Sequence, residues 1–181
     1  MNVINEYKQR RNKLLEDRGI QFQSKYVATN GPVENVHYLE LGSGFPMIMV
    51  HGGGSHSGEW IDILKPLAKN FHLFVVDRPG CGLTDKIDYN GKDVRESAVD
   101  FIHSFVNAIG REKVLLPGHS MGGYFSICFA LKHPERVKKL LLIGAPGGMN
   151  ALDSPIFEID GNQIFKSNFD RNSCKAKPKK C

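Results

Sequence analysis

Gly118-His119-Ser120-Met121-Gly122-Gly123 stands between a short apolar run, Lys113–Leu116, and a segment with helical spacing, Met121–Lys132. A strand followed at once by a helix forces the chain through a sharp turn. Small residues two places before and two places after Ser120 let the two elements approach without a side-chain clash. A hydroxyl at the apex of such a turn stands clear of the sheet. It also lies at a helix N-terminus, where free N–H groups and the helix dipole favour developing negative charge. Ser120 therefore reads as a nucleophile on a strained elbow, and the N–H of Met121 as one oxyanion donor. The pattern alone is common, and a glycine-rich packing turn is the competing reading; the strand-and-helix setting favours the elbow.

The same logic extends outward. His51-Gly52-Gly53-Gly54 follows a short buried run, Met47–Val50. Glycines there allow backbone N–H groups to turn toward a ligand oxygen, and Gly53 is the second expected oxyanion donor. His51 reads as a brace for this loop. Asp77-Arg78-Pro79-Gly80-Cys81-Gly82 follows a third run, Phe71–Val76; Asp77 and Arg78 are expected to hydrogen-bond the loop and its neighbours, without a catalytic role. Apolar residues at three- and four-residue steps (Ala98, Phe101, Ile102, Phe105, Val106, Ile109) predict an amphipathic helix over 93–109. Val137–Ile143 reads as a further strand. Phe22–Thr29 and Asn35–Leu41 flank Asn30-Gly31-Pro32 and read as an antiparallel pair at a sheet edge. Strand–helix alternation implies a mostly parallel sheet with helices on both faces, an α/β fold. Pro117 departs from the pattern, because a proline cannot donate to the ladder of a central strand.

Three domain-level segments follow: a charged helical extension over 1–18, the α/β core over 19–148, and an irregular basic tail over 149–181. The net charge of +5 is carried by residues 166–181, where six Lys or Arg and one Asp fall. A basic tail on a neutral body is expected to be solvated, not a nucleic-acid reader. The charged start lacks an apolar signal-peptide core, and no stretch reaches the roughly 18 apolar residues of a membrane span. The four cysteines show no metal or CxxC spacing, so the expected setting is reducing and cytoplasmic, with no metal, no cofactor, and a small-molecule substrate.

Taken together, HGGG (51–54), DRPGCG (77–82), GHSMGG (118–123) and FALKHPERVKKLLLIGAPGG (129–148) resemble the α/β-hydrolase superfamily over about residues 20–148. The resemblance is nearest to the branch holding esterases and hydrolases of ring-cleavage products. It implies hydrolysis of an ester or an activated carbon–carbon bond, and a catalytic order of serine, acid, histidine. Asp153 is the candidate acid. The only histidine after Ser120 is His133, in Lys132-His133-Pro134-Glu135, which reads as a helix terminus. His119 is expected to turn its side chain away from Ser120. The resemblance further implies a cap and two more strands after the sixth, so the expected fold is incomplete and C-terminally truncated. Its last strand would be an exposed edge open to self-association. Three readings stay open: an impaired serine hydrolase, a non-catalytic binding protein of the same fold, and a subunit completed by a second polypeptide.

Overall fold

The computed structural model describes residues 3–145; Asp153 and the basic tail lie outside the described residues. The element order is α1 (Val3–Asp17), β1 (Gln23–Ala28), β2 (Asn35–Leu41), β3 (Phe45–Val50), a 3-10 turn (Ser57–Trp60), α2 (Ile61–Leu67), β4 (Phe71–Val76), α3 (Val94–Ala108), β5 (Val114–His119), α4 (Met121–Lys132) and β6 (Val137–Ile143). The strands form a single sheet in the order β1-β2-β4-β3-β5-β6. β1 and β2 pair antiparallel, and β2 joins β4 antiparallel; β4, β3, β5 and β6 run parallel. A mixed, mostly parallel sheet of this kind needs helices on both faces to bury its side chains.

The alternation of strand side chains shows how both faces are filled. Ile48 and Val50 of β3, with Phe74 and Val76 of β4, join Phe101, Phe105, Phe125 and Phe129 of α3 and α4 on one face. Met47 and Met49, with Leu73 and Val75, join Leu15 of α1 and Leu64 of α2 on the other. α3 presents Ala98, Phe101, Ile102, Phe105 and Val106 to the sheet. The carboxylate of Asp93 caps its start, accepting the N–H groups of Arg95 (2.7 Å) and Glu96 (3.3 Å). Each fully buried phenylalanine contributes about 1.5–3 kcal/mol by leaving water.

Two sequence expectations acquire detail. β5 does not stop at Leu116 but runs through the buried Pro117 to His119. Its ladder with β6 is aligned residue by residue over Leu115–His119, whereas its aligned pairs with β3 are Met47–Leu115 and Val50–Gly118. α1 lies across the body, with Leu15 fully buried and Arg11 nearly so. β6 forms the end of the sheet among the described residues, and Leu141, Leu142 and Ile143 are exposed there.

Candidate active site

The C-terminal ends of β3, β4 and β5 bring the three loops together. At the elbow Ser120 adopts φ 48°, ψ −120°, and it alone among the described non-glycine residues has a positive φ. Such a backbone costs on the order of 1–3 kcal/mol and persists only when its surroundings impose it. They do so here through close approach. A Cβ on Gly122 would lie 2.1 Å from the Val50 carbonyl oxygen and 2.4 Å from that of His51. One on Gly118 would lie 2.6 Å from both the Gly122 carbonyl oxygen and Ser126 Oγ. The N–H of Ser120 donates to the Ile143 carbonyl at 2.8 Å, tying the turn to β6.

Met121 opens α4 and is 38% exposed, facing the glycine loop. A Cβ on Gly53 would meet the Met121 Cβ at 3.9 Å, so the structure brings Ser120, Met121 and Gly53 into one mouth. The loop is held from behind by His51 and Arg78. His51 Nδ1–H donates to the Gly52 carbonyl (2.8 Å), which leaves Nε2 to accept the N–H of Arg78 (2.9 Å). The Arg78 guanidinium donates in turn to the carbonyls of His51 (2.9 Å) and Gly52 (2.8 Å), and stacks over Phe125. Burial drives the His51 ring down from 6.5 to about 4, so it is a neutral brace.

Asp77, fully buried, accepts the N–H groups of Ser57 (2.6 Å) and Leu83 (3.1 Å), and His37 Nδ1–H donates to it at 2.6 Å. Burial pushes its carboxyl upward, but these hydrogen bonds outweigh burial and hold it below the ordinary value. His37 Nε2 lies 2.8 Å from Ser24 Oγ, which completes a second Ser–His–Asp arrangement. Its chemistry is nevertheless that of a structural tie. Arg11 donates to Ser24 Oγ at 2.9 Å and sits 3.3 Å from His37 Nε2. Burial lowers the ring, and a guanidinium there adds to the effect by opposing the imidazolium that a base must become. The network anchors α1 to the sheet.

The sequence reading missed Glu59. Its carboxylate accepts the N–H of Gly52 at 3.2 and 3.1 Å through both oxygens, and His119 Nδ1–H donates to Oε1 at 2.8 Å. His119 therefore faces the glycine loop. Burial acts to raise the Glu59 carboxyl, but the Ser55 hydroxyl, the Gly52 N–H and His119 together hold it low. An acid five residues after the last loop glycine carries no motif, so only the fold reveals it. His133 caps the far end of α4 and stacks on His103 at 4.6 Å. No group of three or more metal-ligating side chains forms among the described residues, and no helix there is long and apolar enough to cross a membrane.

Comparison with known proteins follows this geometry. The family model described as "alpha/beta hydrolase fold" matches residues 46–173. The chain is 34% identical over 136 residues to a 2-hydroxy-6-oxo-6-phenylhexa-2,4-dienoate hydrolase of Comamonas testosteroni, covering 72% of this chain and 46% of that protein. It is 30% identical over 129 residues to a cis-3-alkyl-4-alkyloxetan-2-one decarboxylase of Shewanella oneidensis, covering 70% and 40%. Among solved structures, a carboxylesterase of Bacillus subtilis superposes with TM-score 0.69 at 23% identity over 77% of this chain and 49% of that one, a likeness of fold. The chain thus spans less than half the length of these curated relatives. By the family match and the sheet that carries it, the chain belongs to the alpha/beta hydrolase fold family.

Proposed function

We propose that this chain carries the nucleophile and oxyanion half of a serine hydrolase acting on an ester or an activated carbon–carbon bond of a small molecule. The observation that carries the reading is Ser120 at φ 48° on the strand-to-helix turn, with Met121 and Gly53 face to face beside it. Ser120 Oγ would attack the carbonyl carbon. The N–H groups of Met121 and Gly53 would receive the oxygen as it becomes negative, aided by the N-terminus of α4. The substrate class is supported by a relative named as a dienoate hydrolase.

The proton of Ser120 must pass to a base. Among the described histidines, His51 and His37 are engaged through both ring nitrogens, and His72 sits between Glu40 and Arg111. His56 Nδ1 accepts the N–H of Gly58, His119 is held by Glu59, and His103 and His133 stack at the opposite end of α4. These engagements of the described histidines favour a second reading, a ligand-binding protein on the same scaffold, or a subunit whose base comes from another polypeptide. Asp153 is kept as the candidate acid.

Treatment of the full chain with a fluorophosphonate probe, with Ser120→Ala beside it, tests the proposal. Labelling of the parent and not of Ser120→Ala supports a nucleophilic Ser120. Absence of labelling in a folded chain overturns an activated Ser120 in this chain, in favour of the binder or of a base supplied by another polypeptide.

A further inference from the structure

We infer that Glu59 is the positioning residue that sets the oxyanion loop against the elbow, by clamping Gly52 and His119 with one carboxylate. The inference rests on the Ser120 reading for its catalytic consequence, and on geometry for the clamp itself. Gly53 and Met121 belong to different elements, one on the loop after β3 and the other at the start of α4. An oxyanion hole built from two elements works only if their spacing is fixed, since its donors must meet the same atom.

Three contacts fix it at once. The Gly52 N–H, next to Gly53, donates to both Glu59 oxygens. His119, next to Ser120, donates to Oε1 of the same carboxylate. The contact is close enough that a Cβ on Gly52 would lie 2.9 Å from His119 Nδ1 and 3.3 Å from Glu59 Oε2. The clamp therefore requires a glycine at this position.

Glu59 is itself anchored. It lies in the 3-10 turn Ser57–Trp60, whose first N–H is held by Asp77 at 2.6 Å and whose next residues are tied by Glu59 N–H to the His56 carbonyl at 2.9 Å. Trp60, one residue on, is buried in the core. The carboxylate is thus carried on a rigid support, and charge-assisted bonds from an N–H and an imidazole are the strong kind. Its ionised form is the one these partners favour, consistent with its lowered carboxyl.

The test separates the clamp from the catalytic reading. In the full chain, Glu59→Ala, Glu59→Gln and His119→Ala are compared by amide hydrogen exchange and by the rate of fluorophosphonate labelling at Ser120. Glu59→Gln keeps one oxygen for the Gly52 N–H. Expected for Glu59→Ala is an increase of about 10- to 100-fold in exchange at residues 52–53, with α3 and β4 unchanged. Labelling slows about 10²-fold, and Glu59→Gln recovers most of both effects. His119→Ala is expected to slow labelling while leaving the protection of Gly52 largely in place. Unchanged exchange at residues 52–53 in Glu59→Ala overturns the clamp, even if Ser120 labels normally. Loosened exchange with undiminished labelling overturns its positioning role. Loosened exchange in a chain whose Ser120 never labels upholds the clamp and removes the hydrolase reading instead.

Discussion

Arg78 holds His51 by two bonds and its neighbour Gly52 by a third: the Arg78 N–H donates to His51 Nε2 at 2.9 Å, while its guanidinium donates to the His51 carbonyl at 2.9 Å and to the Gly52 carbonyl at 2.8 Å. The pair joins the loop after β4 to the loop after β3, and it explains why a charged side chain is 6% exposed at the base of the site. One planar fork satisfies the His51 carbonyl and shares the Gly52 carbonyl with His51 Nδ1–H, a task a lysine ammonium performs poorly. Arg78→Ala is expected to cost about 2–4 kcal/mol, because it leaves the His51 carbonyl without this donor as well as removing the other bonds. Arg78→Lys should recover only part of this. Urea unfolding of the three proteins measures the order; equal midpoints would contradict the clamp.

The buried histidines make stability depend on pH in a stated direction. In the unfolded chain each ring takes up a proton near 6.5, whereas folded His51 does so only at about 4, and folded His37 is also lowered, chiefly by burial. Between these values the unfolded state binds more protons, so stability falls as pH falls through the interval from 6.5 to about 4. His51 alone is worth about 3 kcal/mol once the interval is crossed. Asp77 acts lower: its carboxyl is held below 3.8, so its contribution is present above that pH and lost only beneath it. Unfolding midpoints taken across the interval should decline in the parent chain and decline less in His51→Asn. A flat parent profile would refute the neutral brace.

Gly122 is the residue whose smallness the site needs most. An alanine there would place its Cβ against two backbone carbonyls of β3 and its loop, neither of which can move without disrupting the sheet. Gly122→Ala should therefore cost about 3 kcal/mol or more, through overpacking and displacement of the α4 N-terminus. Gly54→Ala meets no atom within 4 Å, but its φ of +66° makes it strained, so its cost should be nearer 1 kcal/mol. Thermal melts of the two variants check the ranking.

These examples show which parts of the site a sequence can carry. Gly118, Ser120 and Gly122 are readable because the chemistry demands small residues at fixed distances from one serine. The strands are readable because Met47–Val50, Phe71–Val76 and Val137–Ile143 are apolar runs. Pro117 obscured the end of β5, since a proline argues against the interior of a strand and β5 nevertheless runs through it to His119. Glu59 could not be read at all. Its partners Gly52 and His119 are seven and sixty residues away, and only the parallel order of β3 and β5 brings them together. The docking of α1 was equally hidden, because it rests on one apolar residue, Leu15, and on the Arg11–Ser24–His37–Asp77 network.

β6 offers a separate test. Leu141 is 59% exposed and Leu142 40%, on a strand with a partner along one side only among the described residues. Consecutive exposed leucines present both faces of the strand to solvent, which is the profile of an interior parallel strand. Self-association through this edge is expected to be concentration-dependent and to weaken in Leu142→Lys, because a lysine blocks edge pairing. Sedimentation velocity across a concentration series measures it. Identical behaviour of parent and variant would place any association elsewhere.

Ser120 itself yields a prediction in which stability and chemistry part. Its φ of 48° burdens any residue with a Cβ, and the strain lies in the backbone, not in the hydroxyl. Ser120→Ala keeps the Cβ and should leave stability nearly unchanged. Ser120→Gly removes it; relief of strain exceeds the extra freedom glycine gains in the unfolded chain, for a net increase of about 1 kcal/mol. Both variants should lose fluorophosphonate labelling. A residue retained at a cost to the fold is what a working nucleophile requires, and a passive turn would have no reason to hold a serine there. If Ser120→Gly is less stable than Ser120→Ala in urea, the elbow is not strained and the strongest support for Ser120 as nucleophile is gone.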